Sequence, residues 1–74
     1  MIQELELAVL TRDVPEDGLK AGDVGTVVMV HQQGAGYEVE FTTLAGLTIA
    51  VVTVPSDAVR AVREREVAHA REVA

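Results

Sequence analysis

Apolar and polar residues alternate with a period of two along much of the chain, which is the period of β-strands that bury one face. The alternation is strictest over residues 37–42, where glutamates separate three large apolar side chains. The 14 valines of the chain strengthen the preference for strands. The pattern predicts five strands, at residues 5–9, 24–31, 37–42, 47–54 and 60–62.

Turn-forming residues separate these strands. Residues 11–23 lack any periodicity and contain a proline and two glycines, which is typical of a long loop. Glycine-rich residues 34–36 predict a hairpin, and residues 45–46 predict the next turn. The proline at position 55 ends the fourth strand, and residues 56–59 then predict a single 3₁₀ turn.

This order of elements predicts an all-β fold, a five-stranded SH3-like barrel with a one-turn 3₁₀ helix, over residues 1–62. The alternative is a partly open sheet that a partner chain completes. Residues 63–74 mix charged residues with alanine and valine and form a separate tail. This tail is expected to be helical or disordered, because a lone helix of about three turns is marginal in water.

The composition excludes several kinds of chemistry. There is no cysteine, which removes disulfides, thiolate metal sites and cysteine nucleophiles. His31 and His69 lie far apart, with no carboxylates at ligand spacing, and no phosphate-binding loop or nucleophile motif is present. We therefore expect no metal, no cofactor and no catalytic site.

The N-terminal residues are acidic, unlike those of a signal peptide, and the longest apolar-rich run, residues 44–54, is about half the roughly 20 residues of a spanning helix. The sequence thus predicts a cytoplasmic protein that does not enter a membrane. Residues 1–59 carry a net charge of −7 and residues 60–74 a net charge of +1. Because nucleic-acid binding depends on cations that neutralise phosphates, this distribution argues against DNA or RNA as a partner.

Five residues are predicted to have structural roles. Gly22 would supply a positive φ in the turn before the second strand, and Gly25 would allow close strand approach. Tyr37 and Phe41, the two aromatic residues, share the apolar face of their strand and are expected in the core. Pro55 ends the fourth strand.

Six acidic residues form the first candidate binding surface. Four lie in or beside the long loop and two on the outward face of the third strand: Asp13, Glu16, Asp17, Asp23, Glu38 and Glu40. The expected partner is a basic surface on another protein, since complementary charge speeds the encounter. The alternative is a solvated loop that keeps the protein soluble.

The fourth strand forms the second candidate surface, because it is apolar on both faces. A strand with one face in water normally alternates. Either a bent strand contributes both faces to the core, or its outer face, assigned to Ala50, Val52 and Val54, binds an apolar partner or a second copy of the chain.

Three segments, residues 14–28, 36–41 and 54–60, resemble in order and spacing a family of small bacterial proteins described as domain of unknown function 4926. The resemblance covers residues 5–62 and implies an SH3-like fold without an assigned activity. Residues 20–28, with their Gly-Asp-x-Gly-x-Val turn, are also similar to the KOW element of ribosomal and transcription-elongation proteins. The chain departs from KOW domains in lacking their basic residues.

The function expected from these observations is a non-catalytic protein–protein interaction module that regulates or neutralises a partner, as an antitoxin or immunity protein does. One alternative is a KOW-type module that binds nucleic acid or the ribosome. Another is a small accessory subunit of an enzyme. The partner is expected to present a basic or apolar surface, with a homo-oligomer as a second option.

Overall fold

The computed structural model describes residues 1–73 and consists of five β-strands joined by turns and three short 3₁₀ helices. The strands are β1 (Leu7–Leu10), β2 (Val24–His31), β3 (Gly36–Thr42), β4 (Thr48–Pro55) and β5 (Val59–Ala61). The 3₁₀ helices span Pro15–Asp17, Gln32–Gly34 and Ser56–Ala58. The predicted all-β fold is confirmed.

All strand pairs are antiparallel, and the strands lie in one sheet in the order β4-β3-β2-β1-β5. This is the strand order of an SH3-like barrel. Within residues 1–73, β4 and β5 do not pair with each other, so backbone hydrogen bonds do not close the barrel. The outer edge of β4 is therefore a free sheet edge.

One hydrophobic core lies on the inner face of the sheet. Its centre is formed by Leu10, Val27 and Val39, which are at most 1% exposed. Tyr37 and Phe41 are buried beside them, and the Tyr37 hydroxyl accepts a hydrogen bond of 3.2 Å from the backbone N–H of Ile2. The N-terminal residues thus cover one end of the barrel.

The first strand faces the core with a different set of residues from the one its sequence suggests. Leu5 and Leu7 alternate with Val9 in the sequence, yet both leucines are more than half exposed, while Ala8 and Leu10 are in the core. Leu5 has a φ of +70°, so the chain turns there and the strand begins only at Leu7. Which residues of β1 face the core is therefore determined only after this turn.

Two glycines at the start of β2 meet specific steric needs. Gly22 has a φ of +94°, a conformation that residues with a Cβ rarely adopt. Gly25 lies against β3, where a Cβ would be 2.6 Å from Cγ1 of Val39. Close strand approach at this point therefore requires a residue without a side chain.

The tail contains no helix within residues 63–73, which corrects the helical alternative. It makes a turn at residues 64–65 and then follows an irregular path across the barrel. A short helix gains little free energy by itself, whereas this path lets two tail side chains form ion pairs with the barrel. The tail is thus held to the barrel by side-chain contacts, and a backbone hydrogen bond of 3.2 Å from Glu66 to Arg63 closes its turn.

Candidate functional site

The long acidic loop is folded by its own carboxylates. Asp23 accepts a hydrogen bond of 2.8 Å from the backbone N–H of Lys20, and Asp13 accepts one of 2.9 Å from Ala21. These bonds satisfy backbone donors of a tight turn, as Asp side chains often do. They bring the two carboxylates to neighbouring positions on the same turn.

Arg71 of the tail binds to this turn. Its Nε donates a hydrogen bond of 2.9 Å to Oδ1 of Asp23, its Nη2 donates to Oδ2 of the same carboxylate, and Nη2 also donates to the Gly18 carbonyl at 3.1 Å. Two parallel bonds between a guanidinium and a carboxylate are among the strongest charged pairs. The loop therefore holds the arginine through three acceptor contacts.

The contact with Arg71 also determines the titration of Asp23. The hydrogen bonds from Arg71 lower the pKa of Asp23 below its ordinary value, against the opposing effect of partial burial, and the Lys20 N–H adds to the lowering. The Asp23 side chain is only 18% exposed in this pair. It therefore stays ionised at neutral pH and faces the guanidinium with full charge.

A second ion pair holds the beginning of the tail. Arg60 on β5 donates hydrogen bonds of 2.8 Å and 2.6 Å to the two carboxylate oxygens of Glu66. The backbone N–H of Arg63 donates to the same carboxylate at 2.7 Å. These contacts, that of Arg60 first, lower the pKa of Glu66 to about 2.

Between these two ion pairs the tail crosses a row of outward-facing residues. Val9 on β1 pairs with Val24 on one side and Arg60 on the other, and it points away from the core because its neighbours in the strand point inward. Val9 is nevertheless only 6% exposed. The tail runs from Glu66, beside Arg60, to Arg71, beside Asp23, and we infer that it passes over Val9.

We call this surface the tail groove. It is defined by Val9, Val24 and Arg60 along its floor and by Asp23 and Gly18 at its acidic end. An irregular segment of six residues spans it, held by a carboxylate at one end and a guanidinium at the other, while Val24 stays 44% exposed. The arrangement can recognise a peptide by charge at both ends and by contact with an apolar floor between them.

The structure does not bring the six predicted acidic residues together. Asp13 and Asp23 share the turn that holds Arg71, while Glu16 and Asp17 lie exposed on the 3₁₀ helix. Glu38 and Glu40 lie on the outer face of β3, where Thr48 of β4 donates a hydrogen bond of 2.9 Å to Glu40. Glu40 pairs with residue 26, which follows Asp23 by three residues in the chain. With the spacing of residues along a strand and of neighbouring strands, the Cα atoms of Glu40 and Asp23 are roughly 11 Å apart.

The apolar candidates on β4 are part of the core, which corrects their assignment to an outer binding face. Val52 pairs with Val39 and Val54 pairs with Tyr37, so both side chains point inward and are at most 8% exposed. Ala50 packs against the same core. The exposed apolar residues of this segment are instead the alternate set: Leu47, Ile49 and Val51.

Other polar features are dispersed. Two shallow surface hollows each contain one carboxylate, that of Glu6 or of Glu38. His31 is half-buried, and its Nε2 has no hydrogen-bond partner among residues 1–73. In the same residues, no three His, Asp or Glu side chains are grouped as metal ligands, and no helix has the length and hydropathy needed to cross a bilayer.

Sequence reasoning singled out Asp23 but missed the other polar residues of the tail groove and of the tail segment that contacts it. Gly18, Arg60, Glu66 and Arg71 have no motif in common and come from three separate parts of the chain. The available signal was the separation of charge between the acidic body and the arginine-containing tail. That separation predicts attraction between the two parts, but not which residues meet.

Comparison with protein families matches the chain, over residues 4–61, to a family model described as "Domain of unknown function (DUF4926)". The matched range contains all five strands and the acidic end of the tail groove, and it ends before the tail. Comparisons with curated proteins and with solved structures gave no match.

Proposed function

The chain belongs to the DUF4926 family, and we propose that it is a non-catalytic module that binds an arginine-bearing segment of another protein in the tail groove. The observation that carries this proposal is the contact of Arg71 with Asp23 and Gly18. This contact indicates what a suitable ligand would present: a guanidinium group on a segment without regular secondary structure.

The charge of the barrel supports this proposal. Residues 1–59 have a net charge of −7, so a basic segment is attracted before contact and non-basic competitors gain no such advantage. The arginine then fits two acceptors on Asp23 and one carbonyl, a geometry that lysine cannot reproduce with a single ammonium group. Specificity for arginine follows from this planar arrangement.

The tail gives the module a means of regulation. It belongs to the same chain and therefore competes with any partner at a high effective concentration. A partner segment must displace Arg71 before it reaches Asp23, so only a segment with more contacts than the tail binds well. Such competition suits a protein that regulates or neutralises one particular partner.

The test is capture of a partner from cells of the source organism with tagged full-length protein, followed by the same capture with Asp23→Asn. The asparagine keeps an oxygen that accepts the Lys20 N–H but removes the charge that pairs with arginine. The matched control is Arg65→Ala, which also changes one charge and alters an exposed residue without a hydrogen bond or ion pair among residues 1–73.

We expect a protein that wild type and Arg65→Ala recover with fixed stoichiometry and that Asp23→Asn recovers at least tenfold less. Equal recovery by all three proteins would place binding on another surface. Recovery of RNA instead of protein, retained at physiological salt, would contradict the proposal, because residues 1–59 carry only two cations against nine acidic residues, too few to neutralise phosphates.

A further inference from the structure

Strand β4 is the last strand of the sheet, and within residues 1–73 one of its edges has no partner strand. It carries three exposed apolar residues in or beside it, Leu47 at 69%, Ile49 at 37% and Val51 at 53%. An exposed edge of this kind is able to pair with another strand. The tail groove lies on β5, β1, the start of β2 and the preceding loop, and none of its residues belongs to β4, so this edge is a separate surface.

The register of β3 and β4 shows which backbone groups face the free edge. Ser56 donates a backbone hydrogen bond of 3.0 Å to Ala35, and directly opposite residues in an antiparallel pair alternate between bonded and non-bonded. Residues 50, 52 and 54 therefore bond to β3. Val51, Thr53 and Pro55 direct their backbone groups outward, and only Pro55 lacks an N–H to donate.

The edge also lacks the usual protection against pairing. Residues 44–56 contain no charged residue, although the whole chain has 18. Natural edge strands are commonly protected by lysine, by inward-pointing charges or by proline within the strand. Here the single proline is the last residue of β4, and the bulge lies at the other end, beside residues 48–50.

We propose that β4 pairs antiparallel with β4 of a second copy, with the two-fold axis at Val52, to form a continuous ten-stranded sheet. In this register Val51 of each chain lies opposite Thr53 of the other. Each such pair exchanges two backbone hydrogen bonds, so the two pairs together contribute four. The same arrangement places Ile49 opposite Pro55, so the outer-face contacts between the chains are apolar or β-branched.

A second copy fits this edge although each chain is acidic. The acidic residues nearest to it are Glu38 and Glu40 on the neighbouring strand. In the paired arrangement Glu40 of one chain is separated from Glu38 of the other by three strand spacings, about 14 Å. This exceeds the Debye length of about 8 Å at physiological salt, so repulsion between the chains is largely screened.

The experiment measures sedimentation of the full-length protein from about 5 to 500 µM, a range that includes weak dimers. Two variants disrupt the edge. Val51→Lys introduces a charge beside the pairing strand, and Thr53→Pro removes an outward N–H while leaving the bonds to β3 intact. The control is Val67→Lys, the same change at a 92% exposed tail position. Circular dichroism verifies that each variant is folded.

Wild type and Val67→Lys are expected to double in mass from 7.9 kDa as concentration rises, while the two edge variants remain monomeric. The amide hydrogens of Val51 and Thr53 should exchange at least tenfold more slowly in the dimer. A wild type that is monomeric at the highest concentration overturns the proposal, as does a dimer that survives both edge changes. Either result leaves partner binding in the tail groove untouched.

Discussion

At Gly25, the addition of a single methyl group is expected to cause a large loss in the free energy of unfolding. In Gly25→Ala, the new Cβ would lie 2.6 Å from Cγ1 of Val39, 2.8 Å from the backbone oxygen of Glu40 and 2.9 Å from Cε1 of Phe41. Carbon atoms attract each other only at about 3.5–4.0 Å, so strand β2 must move by roughly 1 Å.

The size of the effect follows from these three contacts. Val39 and Phe41 are buried and one of the three atoms is backbone, so the neighbours cannot move aside independently. Overpacking of a core costs about 1–3 kcal/mol, and we expect the upper part of this range. In a domain of this size, 1 kcal/mol corresponds to about 4–8 °C, so the Tm should fall by about 10–20 °C.

Thermal unfolding followed by circular dichroism measures this change. The control is Gly46→Ala, at a glycine with a φ of +94° where a Cβ meets nothing within 4 Å. It should cost only the backbone strain of about 1–2 kcal/mol and a smaller decrease in Tm. A Gly25→Ala protein as stable as wild type, or more stable than Gly46→Ala, would refute the steric explanation for this glycine.

Three further results are expected. In chemical denaturation, Val39→Ala should destabilise the fold by about 2 kcal/mol and Val51→Ala by less than about 0.5 kcal/mol, because only Val39 is buried. Equal losses of stability in the two variants would contradict the assigned faces of the strands. Tyr37→Phe should cost about 1 kcal/mol and increase amide exchange at residue 2, whose N–H loses its acceptor. Because the pKa values of Asp23 and Glu66 are lowered in the folded protein, both ion pairs should be complete above about pH 5, and the tail should detach as the pH falls toward 2. The NMR chemical shifts of the tail residues would follow this detachment. A tail that detaches when the pH is raised would be inconsistent with the lowered pKa values.

The sequence predicted strands well where polar and apolar residues alternate. Residues 24–31 and the glutamate-containing strand after them were predicted nearly to the residue, because each has a hairpin turn or glycines at its ends. The fourth strand is apolar on both faces, so its own pattern could not show which face is buried. That choice is made by pairing with Val39 and Tyr37, a tertiary contact.

The candidate site was predictable only in part. Acidic character in the loop was evident, but Asp13 and Asp23 are close together because each accepts a backbone N–H within one turn, which charge alone does not indicate. Arg71 is 48 residues from Asp23 in the sequence. Its contact depends on the path of the tail, which follows from the folded barrel rather than from any local pattern.

The most direct test of partner binding in the tail groove compares Arg71→Ala with Asp23→Asn in binding to the captured protein, measured by calorimetry. Both changes break the same ion pair, so a purely structural contact predicts that they act alike. If the groove binds an arginine of the partner, Arg71→Ala removes the competing tail and binds more tightly than wild type, while Asp23→Asn binds at least tenfold more weakly. Equal losses of affinity in the two variants would contradict a binding role for the groove.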